Sequence, residues 1–155
     1  MSASRVFAKM NLKDQKEIVV LNAPASFEPE IAALDDVSVR RQLSASSRVA
    51  FGVAFVITQA DVDAVAAPLA RSAEGDAVIW FAYPKGSSKK YKASINRDRG
   101  WAVMGKAGFE PVRMVAIDDD WSALRFRRAD YIKTMTRGVE HAMSQKGKAT
   151  AKRSS

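Results

Sequence analysis

The sequence predicts a single α/β domain of three layers, built on a mostly parallel sheet whose C-terminal edge turns antiparallel. Three observations predict it. Short apolar runs at Glu17 to Asn22, Arg48 to Thr58 and Ala77 to Tyr83 are interrupted by a segment of helical period, and near-continuous apolar runs of this length mark strands buried on both faces. Strands alternating with helices build a sheet covered on both sides. The last two apolar stretches are separated only by Asp118-Asp119-Asp120, a link too short for a crossover, so they pair antiparallel. With 155 residues, 47% of them hydrophobic, the chain has the apolar material for one continuous core, and a single domain is expected.

Each element has a local reason. Glu17 to Asn22 is an apolar run stopped by Ala23-Pro24, hence a buried strand. A short helix follows from Glu28 to Leu34, with Pro29 tolerated in its first turn. Val37 to Arg41 alternates weakly, as an outer strand does. Arg48 to Thr58 is the clearest buried strand. From Gln59 to Ala73 the period changes: Val62, Val65, Ala66 and Leu69 share one helical face, and Asp61 and Asp63 complement the positive end of the helix dipole. Pro68 conflicts with that helix, because an interior proline removes a hydrogen bond. Glu74-Gly75-Asp76 reads as a turn into the strand Ala77 to Tyr83, which Pro84 ends. A helix is expected from about Asn96 to Ala107, capped by Ser94 or Asn96 and stopped by Gly108. Pro111 to Asp118 and Trp121 to Arg128 are the closing hairpin. The domain therefore spans residues 1 to 132, and the basic segment 133 to 155, without an apolar cluster in its last ten residues, is expected to be largely disordered.

Charge and composition restrict the chemistry. The chain has no cysteine, which removes disulfides, thiolate catalysis and most zinc sites together. Its one histidine, His141, lies in the tail. No metal site and no cofactor are expected. No stretch has the roughly 20 apolar residues of a membrane helix, and no apolar signal core follows Met1, so a cytoplasmic protein is expected. The net charge of +8 is uneven. Lys85, Lys89, Lys90, Lys92, Arg97 and Arg99 face only Asp98, and this segment and the one from Ala129 onward together carry all the excess, the rest of the chain being nearly neutral. Such a field favours anionic partners, whether nucleic acid or a phosphorylated small molecule.

The stretches Leu21-Asn22-Ala23-Pro24, Trp80-Phe81-Ala82-Tyr83-Pro84-Lys85-Gly86-Ser87-Ser88-Lys89 and Ala116-Ile117-Asp118-Asp119-Asp120-Trp121-Ser122-Ala123-Leu124-Arg125-Phe126 together resemble a bacterial family catalogued as a domain of unknown function. The resemblance covers roughly Lys9 to Arg128 and brings no activity with it. The succession of helix, Ala107-Gly108-Phe109-Glu110, strand, turn, Trp121 and strand is also similar to the last third of Rossmann-like methyltransferases. That resemblance makes Ile18 to Leu21 the first strand, whose following loop in those enzymes is glycine-rich and holds the cofactor. Here the loop is Asn22-Ala23-Pro24-Ala25-Ser26-Phe27, without glycine. The architecture is thus implied, and the cofactor is not.

Three candidate sites stand out. The loop Lys85, Gly86, Ser87, Ser88, Lys89, Lys90, Tyr91, Lys92 follows a strand end, exposes small residues and supplies lysines for phosphate oxygens, although it lacks the spacing of a phosphate loop. Together with Asn22 and Tyr83 it forms a candidate ligand site, and Lys89, Lys90, Lys92, Arg97 and Arg99 a candidate nucleic-acid contact. Asn before Ala-Pro is also an ordinary turn former. Asp118, Asp119 and Asp120 can bind a cation or act as a base, yet consecutive carboxylates rarely converge, and a hairpin turn needs such residues anyway. Among the aromatics, only Trp101 and Tyr91 sit among cations, the setting in which aromatic rings stack on bases. A non-catalytic anion-binding domain needs only what the sequence contains. The alternative is a small-molecule enzyme of Rossmann-like shape, or a regulatory subunit derived from one.

Overall fold

The computed structural model describes residues 5–13, 15–44, 48–95 and 100–132. In chain order the elements are helix α1 (Arg5–Lys9), strand β1 (Glu17–Leu21), a 3-10 turn (Ala25–Phe27), α2 (Glu28–Ala32), β2 (Ser38–Arg40) and β3 (Val49–Phe55). Then come α3 (Gln59–Ser72), β4 (Ala73–Pro84), α4 (Ala102–Lys106), β5 (Phe109–Ala116), β6 (Trp121–Arg128) and a closing 3-10 turn (Ala129–Tyr131). The six strands form one sheet in the order β2-β1-β3-β4-β6-β5. β1 is parallel to both β2 and β3, β3 is parallel to β4, and β6 runs antiparallel between β4 and β5. The predicted fold class holds.

The apolar runs are continuous because both faces of the sheet are covered. Along β4, Ile79, Phe81 and Tyr83 point into one core while Val78, Trp80 and Ala82 point into the other. α3 and α4 cover the first face with Val62, Ala66, Leu69 and Met104. α1, the first 3-10 turn and α2 cover the second with Val6, Phe7, Phe27 and Ile31. At Gly52 a Cβ would stand 3.1 Å from Cγ1 of Val49 on the same strand, so a side chain there would crowd Val49, whereas Leu69 Cδ2 of α3 would be in ordinary contact at 3.5 Å.

α3 is the helix expected from its period, and its start is a reciprocal cap. The Thr58 side chain accepts from the N–H of Asp61, whose Oδ2 accepts from the N–H groups of Thr58 and Ile57. The helix runs through Pro68. The bond lost is the one to the carbonyl of Ala64, and Ala64 is exposed, so the loss falls on the solvent side of the helix rather than in the core.

Several boundaries differ from expectation. β4 begins at Ala73, so the expected turn Glu74-Gly75-Asp76 lies inside the strand as an irregular stretch: Val49 pairs with Ala73 and Phe51 with Val78. Gly75 at φ 57° and the Arg128 guanidinium, which donates to the carbonyls of Ala73 and Gly75, hold the departure. The helix before β5 is shorter than expected. It begins at Ala102, Gly100 at φ 109° being unable to continue a right-handed turn into it, while residues 96–99 lie outside the described residues. α1 carries no signal strong enough to have been expected. Among the described residues no helix is long and apolar enough to cross a membrane. The tail 133–155, with His141, lies outside them as well.

Candidate functional site

The chain leaves β1 in one direction to form β2 and in the other to form β3, so the strand order reverses between β1 and β3. Ligands of open α/β sheets bind outside the carboxyl ends of the strands at such a point. Asn22 stands there, exposed and left-handed at φ 60°. Asparagine tolerates that conformation better than any residue with a bulkier side chain, so the sharp exit from β1 is made without glycine. Pro24 then starts the 3-10 turn, which drives Phe27 inward to 1% exposure.

A row of aromatic rings lies along this edge. Phe27 packs on Phe55, the last residue of β3, with ring centres 4.8 Å apart. Phe55 meets Trp121, the first residue of β6, at 5.1 Å, and Trp121 meets Tyr91 at 5.0 Å. The loops after β1 and β4 thus close over one apolar cluster, to which Ala23, Ile57 and Tyr91 belong at the margin. Trp121 is 2% exposed, and its indole N–H is enclosed without an acceptor among the described residues.

The basic loop is anchored at both ends. The N–H of Lys85 donates to the carbonyl of Asp120, and the hydroxyl of Ser88 donates to Asp120 Oδ1 at 2.8 Å. Ser88 Oγ in turn accepts from the N–H groups of Lys90 and Tyr91. At the far end the N–H of Ser94 donates to the carbonyl of Ile57, and Ser94 Oγ accepts from the N–H of Gln59. The loop therefore lies back across the end of β3 rather than standing free. Lys89, Lys90 and Lys92 are exposed on it, Gly86 and Ser87 likewise, while Lys85 and Ser88 are half-buried. The Lys90 ammonium sits 5.6 Å from the centre of the Tyr91 ring. A Cβ on Gly86 would meet nothing within 4 Å, so packing does not demand glycine there.

Other candidates are placed elsewhere. Tyr83 is buried on the α3 side, where its hydroxyl donates to Met114 Sδ, so it does not join the Lys85–Lys92 surface. Trp101 is 1% exposed among Phe81, Tyr83 and Phe126 and offers no face for stacking. Its flanking cations, Arg97 and Arg99, lie outside the described residues. The three aspartates do not converge: Asp118 Oδ1 accepts from the N–H groups of Asp120 and Trp121, which is a turn-forming role, and Asp120 holds Ser88. No group of three metal-ligating side chains occurs among the described residues. Sequence reasoning missed the contact of Phe27 with Phe55 and the tie between Ser88 and Asp120, because both join residues remote in sequence.

The chain shares its fold with methyltransferases. A SAM-dependent methyltransferase from Aquifex aeolicus is similar at a TM-score of 0.57 with 12% identity, over 80% of this chain and 88% of that one. A possible exported protein from Bordetella parapertussis is similar at 0.55 with 10% identity, over 79% and 65%. A ribosomal protein methylase from Lactobacillus delbrueckii subsp. bulgaricus is similar at 0.50 with 8% identity, over 79% and 76%. At such identities the likeness is one of fold. No family model matches the chain, and no curated protein matches it.

Proposed function

We propose that this is an enzyme-derived binding domain, a Rossmann-like unit that keeps the methyltransferase architecture and works without the cofactor of that fold. The row Phe27, Phe55, Trp121 and Tyr91 carries the reading, because it occupies the carboxyl edge where an open sheet receives its ligand. Two further features support it. The loop after β1 presents the inward Phe27 in place of a glycine-lined approach to a pyrophosphate or adenosine group. The carboxylates nearest the edge, Asp118 and Asp120, are engaged in holding the hairpin turn and the β4 loop.

Calorimetric titration with S-adenosylmethionine and with a nicotinamide dinucleotide tests this directly. No heat of binding is expected at ordinary cofactor concentrations. A micromolar dissociation constant for either would return the domain to the enzymes.

The exposed lysines favour a second, compatible reading. Lys89, Lys90 and Lys92 project from a loop whose backbone is fixed at both ends, so their positive field is held over the carboxyl edge. The anionic partner of such a domain is a nucleic acid or a phosphate-bearing small molecule.

A further inference from the structure

Arg125 and Arg127 are two residues apart on β6 and share the sheet face that Trp121 and Ala123 turn toward the α1 and α2 layer. Arg113 on β5 is the register partner of Arg125, and Trp80 on β4 is its partner on the other side. Three guanidinium groups therefore gather on the antiparallel half of the sheet. Asp76 answers one of them, accepting from Arg127 Nε at 2.8 Å and from Nη2 at 2.7 Å. Glu110, buried on β5, is the register partner of Arg127. Three cations on this face thus stand with two carboxylates, Asp76 and Glu110.

Arg125 is the member under most stress. Among the described residues neither it nor Arg113 has an ion pair, and Arg125 Nε is enclosed without an acceptor. Burial, together with Arg127 and Arg113, pushes its guanidinium below the usual arginine range. Like charges directly opposite on adjacent strands repel, and a half-buried cation has lost part of its hydration. Among the described residues no carboxylate pairs with Arg113 or Arg125, and both can be reached from solvent: Arg113 is exposed and Arg125, like Arg127, is partly accessible.

We infer that Arg113, Arg125 and Arg127 form a binding site for a dianionic phosphate group, either the free ion or a phosphomonoester. The two guanidinium groups without an ion pair among the described residues, those of Arg113 and Arg125, match a phosphate of this kind, which carries about −1.5 to −2 at neutral pH, better than a carboxylate or a phosphodiester. Guanidinium forks also match phosphate oxygens in pairs. The site is separate from the carboxyl edge, since β6 starts there at Trp121 and reaches Arg125 and Arg127 four and six residues later, roughly 13 and 20 Å along the strand.

The test is nitrogen-15 NMR of the full chain at constant ionic strength, following the arginine Nε–H resonances. Inorganic phosphate, phenyl phosphate, dimethyl phosphate and acetate are titrated in turn. The Arg125 resonance is expected to shift saturably with inorganic phosphate, and to need about tenfold more dimethyl phosphate or acetate for the same shift. Saturation with phenyl phosphate as well assigns a monoester ligand, and saturation with inorganic phosphate alone assigns the free ion. Arg113→Gln changes an exposed side chain and is expected to weaken the affinity about tenfold. Should Arg125→Met fail to fold, Arg113→Gln alone decides. Equal shifts with all four anions, an unchanged affinity in Arg113→Gln, or movement confined to the Lys85–Lys92 loop would overturn the assignment.

Discussion

The hydroxyl of Ser88 donates to Asp120 Oδ1 at 2.8 Å and ties the loop after β4 to the turn before β6 across 32 residues of sequence. The same oxygen accepts from the backbone N–H groups of Lys90 and Tyr91. Ser88→Ala removes all three bonds at once. A hydrogen bond of this kind is worth about 1 kcal/mol net, and the loss falls on the loop rather than the core. Amide exchange at Lys90 and Tyr91 should accelerate about fivefold or more while the melting temperature changes little. Unchanged protection at both amides would mean that the Tyr91 ring on Trp121, and not Ser88, holds the loop.

The cap of α3 is a second local device with a readable cost. Thr58→Ala deprives the Asp61 N–H of its acceptor, and losses of this type cost about 1 kcal/mol, with a ceiling near 2. Urea unfolding should show a lower midpoint at constant slope, because the unfolded surface is the same. A midpoint identical to wild type would show that Ser94 Oγ, which takes the N–H of Gln59, suffices to start the helix.

Stability against acid has one identified surface contributor. Two hydrogen bonds from the Arg41 guanidinium, at 2.8 Å each, hold the Glu28 carboxyl below the usual carboxylate range; burial opposes them, and the Arg41 charge adds to the lowering. A carboxyl whose pKa is depressed on folding stabilises the native state above its unfolded value of 4.5, and the contribution disappears as pH falls through the lowered folded value. Glu28→Gln should therefore be less stable than wild type at neutral pH and converge with it in acid. The pair is exposed, so salt should shrink the gap. A constant gap from neutral pH to well below 4.5 would place the effect in helix α2 instead.

What was legible in the sequence was what one strand or helix can encode by itself. β1, β3 and β4 stood out because two-faced burial leaves an unbroken apolar run, and α3 because its face repeats with the helical period. The turn at Glu74-Gly75-Asp76 was misread because glycine marks a bulge as readily as a turn, and only the pairing of Val49 with Ala73 and of Phe51 with Val78 separates the two. The missing glycine after β1 was visible, yet the left-handed Asn22 that replaces it was not, since asparagine serves ordinary turns equally well. Arg113, Arg125 and Arg127 are spread through two strands, and their meeting depends on the β5 to β6 register, including the irregularity between Pro111 and Arg113. Tyr83 and Lys85, close in sequence, were assigned to one site although the strand sends Tyr83 into the α3-side core.

The reading of the lysine loop as a contact for a polyanion makes a prediction about salt. Nucleic acid binding by Lys85, Lys89, Lys90 and Lys92 releases condensed counterions, so affinity should fall log-linearly with salt, with a slope of about −0.9 for each duplex phosphate neutralised. The contact is expected to be tolerant of sequence, because lysines meeting backbone phosphates carry no base information. Lys89→Ala with Lys90→Ala should flatten the slope by up to about two units. Folding should be intact in that variant, since both side chains are exposed and Ser88 accepts from the backbone N–H of Lys90, which alanine retains. A small phosphorylated ligand would behave otherwise, competing at fixed salt with one-to-one stoichiometry and responding to Lys85 and Ser87 as strongly as to the lysine pair. Fluorescence anisotropy with labelled single- and double-stranded oligonucleotides across a salt series separates these cases, using wild type, the double variant and a chain ended after Arg137. Loss of binding only in the shortened chain would assign the attraction to the basic tail and make the loop's charge incidental. Absence of binding by wild type at low salt, where exposed cations have their greatest reach, would end the nucleic-acid reading altogether.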